Sequence, residues 1–147
     1  MAIDMARETI SRMSELIYEN FGKQLNEKLS SLAGKLTNGR YNQILVDNEL
    51  SIRFMGDLDF QSANGLSAGT LEQLYLALRL SIGELFFGNT QVPVILDEPF
   101  AYYDEKRMEA GLKELAGSDK QILLFTCKES EQKLLDRMAV EYRCVML

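Results

Sequence analysis

Three short stretches of this 147-residue chain carry residue types whose spacing suits chemistry. The apolar run Val92–Leu96 stops at two adjacent carboxylates, Asp97 and Glu98, and a further acid, Asp104, follows six residues after Glu98. Upstream, Leu66-Ser67-Ala68-Gly69-Thr70 leads into a strongly apolar helical pattern. Neighbouring carboxylates repel and are costly to desolvate, so a magnesium ion or a proton is their usual company. At the C-terminal end of a buried strand they would stand where open α/β sheets place ligands. A solvated Asp-Glu turn accounts for the pair equally well when it is read alone. The Ser67–Thr70 loop is small and polar, and free backbone N–H groups plus the helix dipole favour an anion such as phosphate at such a point. Read alone, it also serves as a plain helix cap.

Composition narrows the chemistry. There is no histidine, which excludes an imidazole base, Ser-His-Asp triads and most zinc sites. Cys127 and Cys144 are too few for a disulfide framework, so reduced thiols in a cytoplasm are expected. Cys127 has no base near it in sequence and is expected to be a buried structural thiol. A net charge of −6 argues against binding nucleic acid through overall charge, though not against a local basic patch. No apolar run approaches transmembrane length, and Met-Ala-Ile-Asp-Met has no signal-peptide character, so no membrane partner is expected.

The elements that must position these residues follow from periodicity. Residues 4 to about 37 form one long helix, with Ile3, Ala6, Ile10, Met13 and Ile17 in a heptad-like seam and Phe21, Leu25, Leu29, Leu32 and Leu36 continuing at helical spacing. The seam suits the end of a coiled coil or a helix packed on the domain. Tyr41–Val46 and Leu50–Phe54 read as a hairpin turning at Asp47-Asn48-Glu49, and Gln61–Gly65 as a loop. Leu71 to about Phe87 is a largely buried helix, with Thr70 and Gln73 at capping-box spacing. Val92–Leu96 and Gln121–Thr126 read as buried strands, Val140–Met146 as a last strand, and charged helices follow Asp104 and Lys128. The expected fold is α/β: a mainly parallel sheet with helical crossovers, preceded by a long helix and a small β hairpin.

Leu66-Ser67-Ala68-Gly69-Thr70, then Val94-Ile95-Leu96-Asp97-Glu98, then Ala101-Tyr102-Tyr103-Asp104, then the strand Gln121–Cys127, resemble in order the signature loop, Walker B strand, D-loop and switch strand of an ABC-type ATPase head. Residues 69–80 and Leu123-Leu124-Phe125-Thr126-Cys127 are similar to the chromosome-maintenance and DNA-repair branch, of the YhaN and SbcC type. Leu36-Thr37-Asn38-Gly39-Arg40-Tyr41 fits the point where that family's coiled coil returns to its head. The resemblance implies two heads sandwiching ATP and Mg. Ser67, Ala68, Gly69 and Thr70 would contact the nucleotide held by the other head. Asp97 would orient magnesium through water, Glu98 would act as general base, and Asp104 would communicate across the dimer. Phe100, Tyr102 and Tyr103 are then expected to pack the D-loop rather than stack on bases.

Two departures qualify that picture. The 147 residues contain no Walker A: neither Gly22-Lys23 nor Gly34-Lys35 has the required glycine before it or Ser/Thr after it. The expectation is a single C-terminal lobe, with residues 1–38 from a coiled-coil base, 39–65 a hairpin and loop, and 66–147 the motif region. An N-terminal Walker A lobe and a second head complete it, with DNA reached through the whole assembly. The other departure is Lys128, where the family carries a switch histidine. It can meet a γ-phosphate as a point charge but cannot relay protons near neutral pH; a solvated lysine at the start of a helix is the other reading. The alternative function is a non-hydrolysing dimerisation or docking module.

Overall fold

A computed structural model of the chain describes residues 2–47, 51–88, 90 and 92–146; within the first helix the side chains of 2–4, 6, 11 and 14–19 are not described. Helix α1 spans Ala2–Leu36. Its C-terminal third is docked: Leu25, Leu29, Ala33 and Leu36, spaced four, four and three apart, are buried, whereas Ile10 and Met13 of the heptad-like seam are exposed and Ile3, Ala6 and Ile17 of that seam lie outside the described side chains. The helix stops where Asn38 and Gly39 take positive φ, 54° and 83°, and the Gly39 N–H returns to the Gly34 carbonyl at 2.7 Å. Asn and Gly are the residues that enter this region at least cost.

The chain then builds a three-stranded antiparallel sheet from β1 (Ile44–Val46), β2 (Ile52–Met55) and β3 (Phe60–Ser62), in that spatial order. Ile44 pairs with Phe54 and Val46 with Ile52, so the buried side chains share one face as alternation requires. The expected turn residues Asn48 and Glu49, and Leu50, lie outside the described residues. Gln61–Gly65, expected as a loop, holds most of β3 and a 3₁₀ turn over Ala63–Gly65. Ser62 caps that turn, accepting from the Asn64 N–H at 3.3 Å, and Ala63 is buried, which explains its order.

Helix α2 (Ala68–Phe87) crosses α1 and carries the second large share of the core, with Leu74, Leu76 and Ala77 buried. Its cap corrects the sequence expectation. Ser67 is the capping residue, accepting from the Thr70 N–H at 3.4 Å, and Gln73 takes no part. Gln73 is instead buried and donates through Nε2 to the Leu36 carbonyl at 2.5 Å, satisfying an otherwise orphaned acceptor at the end of α1. Strand β4 (Val94–Asp97) follows and pairs in parallel with β5 (Ile122–Phe125) through the crossover helix α3 (Glu105–Ala116). Helix α4 (Glu129–Arg137) comes last.

Three sheet expectations are corrected. The architecture is α/β, but three of the five strands are antiparallel and the parallel sheet has two strands. Val140–Met146 forms no strand, with Tyr142, Val145 and Met146 exposed. Neither parallel strand is buried on both faces: Leu96 is buried, but Ile95 is 65% exposed and Phe125 45%. The open faces of β4 and β5 and the unpaired stretch 140–146 share one cause, because a strand's hydrogen bonds and its second face must come from a neighbour, and none is found among the described residues.

Packing under β4 is tight at one point. Phe100 is fully buried, and a Cβ on Gly111 of α3 would lie 2.6 Å from its Cε1. Gly83 of α2 has nothing within 4 Å of the same position. Gly111→Ala is therefore expected to lower stability by about 1–3 kcal/mol through overpacking, and Gly83→Ala to raise it by about 0.5–1 kcal/mol through backbone entropy. Urea denaturation of the two variants tests the opposite signs; equal shifts would show that Phe100 yields freely.

Candidate functional site

The chemistry-bearing residues gather in two neighbouring groups. The first lies at the C-terminal end of the parallel sheet. Asp97 ends β4, is exposed, and shares the open sheet face with Ile95 and, in register beside it, Phe125. Glu98 follows with φ of 45°, a left-handed conformation uncommon for a non-glycine residue. Its N–H donates to the Phe125 carbonyl at 2.9 Å, so the strand-end pairing is carried one residue past β4. Its carboxylate crosses to the β5–α4 connection, accepting from the Cys127 N–H at 2.5 Å and from the Thr126 hydroxyl at 3.4 Å.

These contacts set the acidity of the group. Hydrogen bonds from the Cys127 thiol and from its backbone N–H hold Glu98 below the usual glutamate range, and the nearby Lys128 ammonium adds to the effect. The Cys127 thiol is pushed up in return, by its hydrogen bond to Glu98 and by that carboxylate's charge. Cys127 is exposed, not the buried thiol expected, because residues 126–128 run along the surface between β5 and α4. Lys128 reaches the 99–103 turn: its Nζ donates to the Ala101 carbonyl at 3.4 Å, and its N–H to Thr126 Oγ1 at 3.1 Å.

The second group joins the Ser67–Thr70 loop to residues 102–107. Asp104 caps α3, accepting from the Arg107 N–H at 2.8 Å. Arg107 in turn donates through Nη2 to Thr70 Oγ1 at 3.4 Å, and Thr70 Oγ1 stands 2.9 Å from Ser67 Oγ. A Cβ on Gly69 would lie 2.6 Å from the Tyr102 carbonyl, so this loop needs glycine for close backbone approach. Ser67 and Ala68 are exposed, Gly69 and Thr70 buried. A shallow groove of about 280 Å³ opens beside Thr70, bordered by Arg40, Gln73, Lys106 and Arg107. Phe100 and Tyr103 pack on each other, ring centroids 5.2 Å apart, while Tyr102 is exposed. Burial pushes the Tyr103 phenol well above its usual range, Glu72 adding to it, and leaves its hydroxyl without a partner among the described residues.

The expected site residues thus fall into Asp97, Glu98 and Lys128 on one side of the 99–103 turn and Ser67, Gly69, Thr70 and Asp104 on the other. Arg107 and the Cys127 N–H were not foreseen. A cation three residues after a capping Asp is ordinary in a helix, and a backbone N–H carries no sequence signal. Among the described residues no three His, Cys, Asp or Glu side chains gather into a metal site. A single strand-end carboxylate still fits magnesium, which usually takes one or two carboxylates and completes its shell with water and phosphate oxygens.

Known proteins share the fold of this chain and part of its sequence. No protein-family model matches the chain. YhaN of Bacillus subtilis strain 168, itself uncharacterized, is 32% identical over an alignment of 133 residues that covers 87% of this chain. The chain spans 14% of YhaN. Among solved structures, an SMC ATPase studied for ATP-driven dimerization and DNA-stimulated activation superposes with a TM-score of 0.67 at 16% identity, covering 82% of this chain and 77% of that one. The Smc head of Pyrococcus furiosus with an extended coiled coil, bound to the C-terminal domain of ScpA, gives 0.69 at 16% identity, over 90% of this chain and 35% of its own. The Smc head of Pyrococcus yayanosii with a coiled coil and joint gives 0.68 at 17% identity, over 90% of this chain and 27% of that one. The chain has the fold of the SMC ATPase heads. Its sequence is similar to that of YhaN.

The Glu98 contacts predict a pH dependence. Because the folded pKa is lowered, the tie to Cys127 contributes stability above the ordinary carboxylate pKa and loses it as pH falls through the lower, folded value. The Cys127 amide resonance is expected to titrate with a midpoint below that of a free glutamate. A midpoint at or above it would show that the carboxylate is not held there.

Proposed function

We propose that this chain is the C-terminal lobe of an ATP-hydrolysing head that works in DNA repair or chromosome maintenance. A lobe carrying the phosphate cradle completes it, and a second head closes on the loop 67–70. One observation carries the reading: the parallel sheet leaves an apolar face open beside Asp97, with Ile95, Leu123 and Phe125 uncovered. Exposed apolar patches at a strand pair mark a surface meant to be covered. A lobe seated there would bring its phosphates to the strand ends where Asp97 and Glu98 stand. In the completed head Asp97 would hold magnesium through water, and ATP bound there would supply the γ-phosphate that reacts. Glu98, kept ionised by its N–H and thiol donors, is suited to accept a proton from an attacking water, and positioning supplies most of the catalysis in such reactions. Ser67 and Gly69 would face a phosphate in trans, and DNA would be engaged by the whole assembly in the cytoplasm.

A second reading, a hydrolysis-poor docking module, is favoured by Lys128. Its Nζ is spent on the Ala101 carbonyl, and the Glu98 carboxylate already has protein donors.

Combining the chain with its Walker A lobe separates the two. The enzyme reading expects ATP hydrolysis that Glu98→Gln lowers by about 100-fold or more, the scale of losing a general base. A well-folded complex without turnover supports the module. The chain alone is expected to bind ATP negligibly by calorimetry and to self-associate in sedimentation, with Ile95→Glu and Phe125→Glu weakening the association. A clean monomer at high concentration would count against the open face as an interface.

A further inference from the structure

We infer that the groove between the α1–β1 connection and the first turn of α3 is a binding site for a phosphate group. It borders the loop 67–70 but goes beyond the ATPase reading, because it needs neither a second head nor turnover.

Three cations meet there. Arg40 comes from the connection after α1, and Lys106 and Arg107 from the first turn of α3, around an open groove of about 280 Å³. Among the described residues one carboxylate, Asp104, stands on its rim, and that one is already engaged. One of its oxygens accepts the Arg107 N–H at 2.8 Å, and the other lies 3.6 Å from Arg107 Nε. Arg107 also gives Nη2 to Thr70 Oγ1 at 3.4 Å, so its guanidinium is turned toward the protein. Arg40 and Lys106 are different. Both are exposed, and neither side chain makes a hydrogen bond or an ion pair among the described residues. In a chain of net charge −6, two uncompensated cations thus border one groove.

Their places in the fold point to a ligand. Lys106 sits at the positive end of the α3 dipole, where a cation is disfavoured and an anion favoured. Arg107 in the same turn is offset by Asp104, and Lys106 has no such partner; a bound anion supplies one. Arg40 is seated in place without an acid. Its guanidinium carbon lies 5.3 Å from the centre of the Tyr41 ring, and Tyr41 is itself buried, with the Phe54 ring edge-on at 5.1 Å. A guanidinium held over a ring keeps its N–H donors available.

The chemistry selects phosphate. A guanidinium fork and an ammonium point charge carried by separate elements suit a tetrahedral oxyanion, which offers acceptors in several directions. Tyr41 is the aromatic side chain of the groove, and with Phe54 and Arg40 on its ring it has no face open for a base. The groove therefore meets the phosphate and not the base, whether that phosphate belongs to a nucleotide or to a nucleic-acid backbone.

The test is a titration of the chain with inorganic tripolyphosphate, and separately with a short DNA duplex, followed by backbone amide resonances. Tripolyphosphate is expected to shift the amides of residues 38–41 and 105–107 saturably. A Kd on the order of 1 mM suits exposed charge contacts and leaves ATP binding negligible by calorimetry. Arg40→Gln and Lys106→Gln are each expected to raise that Kd about three- to fivefold. Lys133→Gln, which removes the same charge from α4, is expected to leave it unchanged. Lys106→Gln is also expected to keep or raise the urea midpoint, since the helix end loses an unfavourable cation, so weaker binding in that variant is not a loss of fold. The DNA arm identifies the source. Shifts of the same amides by the duplex, lost between about 50 and 200 mM salt, assign the site to a nucleic-acid backbone. Shifts by tripolyphosphate alone assign it to nucleotide phosphates. No shift at these residues with either anion would overturn the inference. An equal loss in Lys133→Gln would overturn it too, by reducing the effect to overall charge.

Discussion

Residues 25–36 of α1 are the spine to which the other elements are fastened, and their docking is what the rest of the structure depends on. Leu29, Ala33 and Leu36 have no exposed surface and meet Leu74 and Ala77 of α2 in one continuous core. Around that apolar contact the polar groups are used one by one. Ser30 Oγ accepts the Ile44 N–H at 2.9 Å and donates to its carbonyl at 3.1 Å, so β1 is pinned along the helix. Asn26 Oδ1 accepts the Val46 N–H at 2.9 Å and fixes the other end of that strand. Gln73 seals the last turn, and Lys35 reaches Glu114 of α3 at 2.8 Å. A buried helix end with unsatisfied carbonyls would cost free energy, and the Gln73 amide is what makes a buried end tolerable here. The exposed ion pair contributes little by comparison.

The spine also explains why two distant loops share a frame. Helix α2 starts at the Ser67–Thr70 loop and packs on α1; α3 starts at Asp104 and packs on the same helix end. Their N-termini are therefore held side by side, and Arg107 and Gly69 need only bridge a gap the core has already set. The far part of α1 is different. Over 35 residues at a rise of about 1.5 Å each it extends roughly 50 Å, and the described apolar side chains beyond Phe21, Met5, Ile10 and Met13, are exposed.

How much of this was legible in the sequence depends on whether the deciding partner lay within reach. Helices were legible because a helix satisfies its own backbone: α2 ends at the expected Phe87, and α3 and α4 begin directly after Asp104 and Lys128 as expected. Strands were legible in position but not in extent. Tyr41–Val46 shrank to Ile44–Val46 because pairing begins only where β2 lies opposite. Val140–Met146 alternates like a strand yet has no neighbour to pair with, and alternation reports a preferred face, not a partner. Side-chain roles were not legible where packing fixed them. Gln73 has capping spacing but faces the end of α1, and Cys127 matters through its backbone and an exposed thiol, neither of which residue type reveals. The acid pair itself was even odds alone; the structure places it at a parallel strand end with an open apolar face beside it.

The backbone at Glu98 carries the last step. Three described non-glycine residues have positive φ, and two need no special account. Asn38 ends α1 and is a residue that tolerates the region, and Ala139 follows α4, where its neighbour's N–H closes back on the Leu135 carbonyl at 3.1 Å. Glu98 ends no helix. A non-glycine residue there costs about 1–3 kcal/mol and persists only if its surroundings over-determine it. They do: its N–H is given to Phe125, its carbonyl accepts the Ala101 N–H at 3.3 Å, and its carboxylate is held by Cys127 and Thr126. An extended backbone at this point would continue β4 and aim the side chain along the sheet. The left-handed turn instead takes the carboxylate across to the β5–α4 connection, beside the strand end that Asp97 occupies. An acid needed only for solubility would not be held against a strained backbone by four separate donors and acceptors. One that must meet a ligand at a fixed point gains from that rigidity, because its orientation is settled before the ligand arrives.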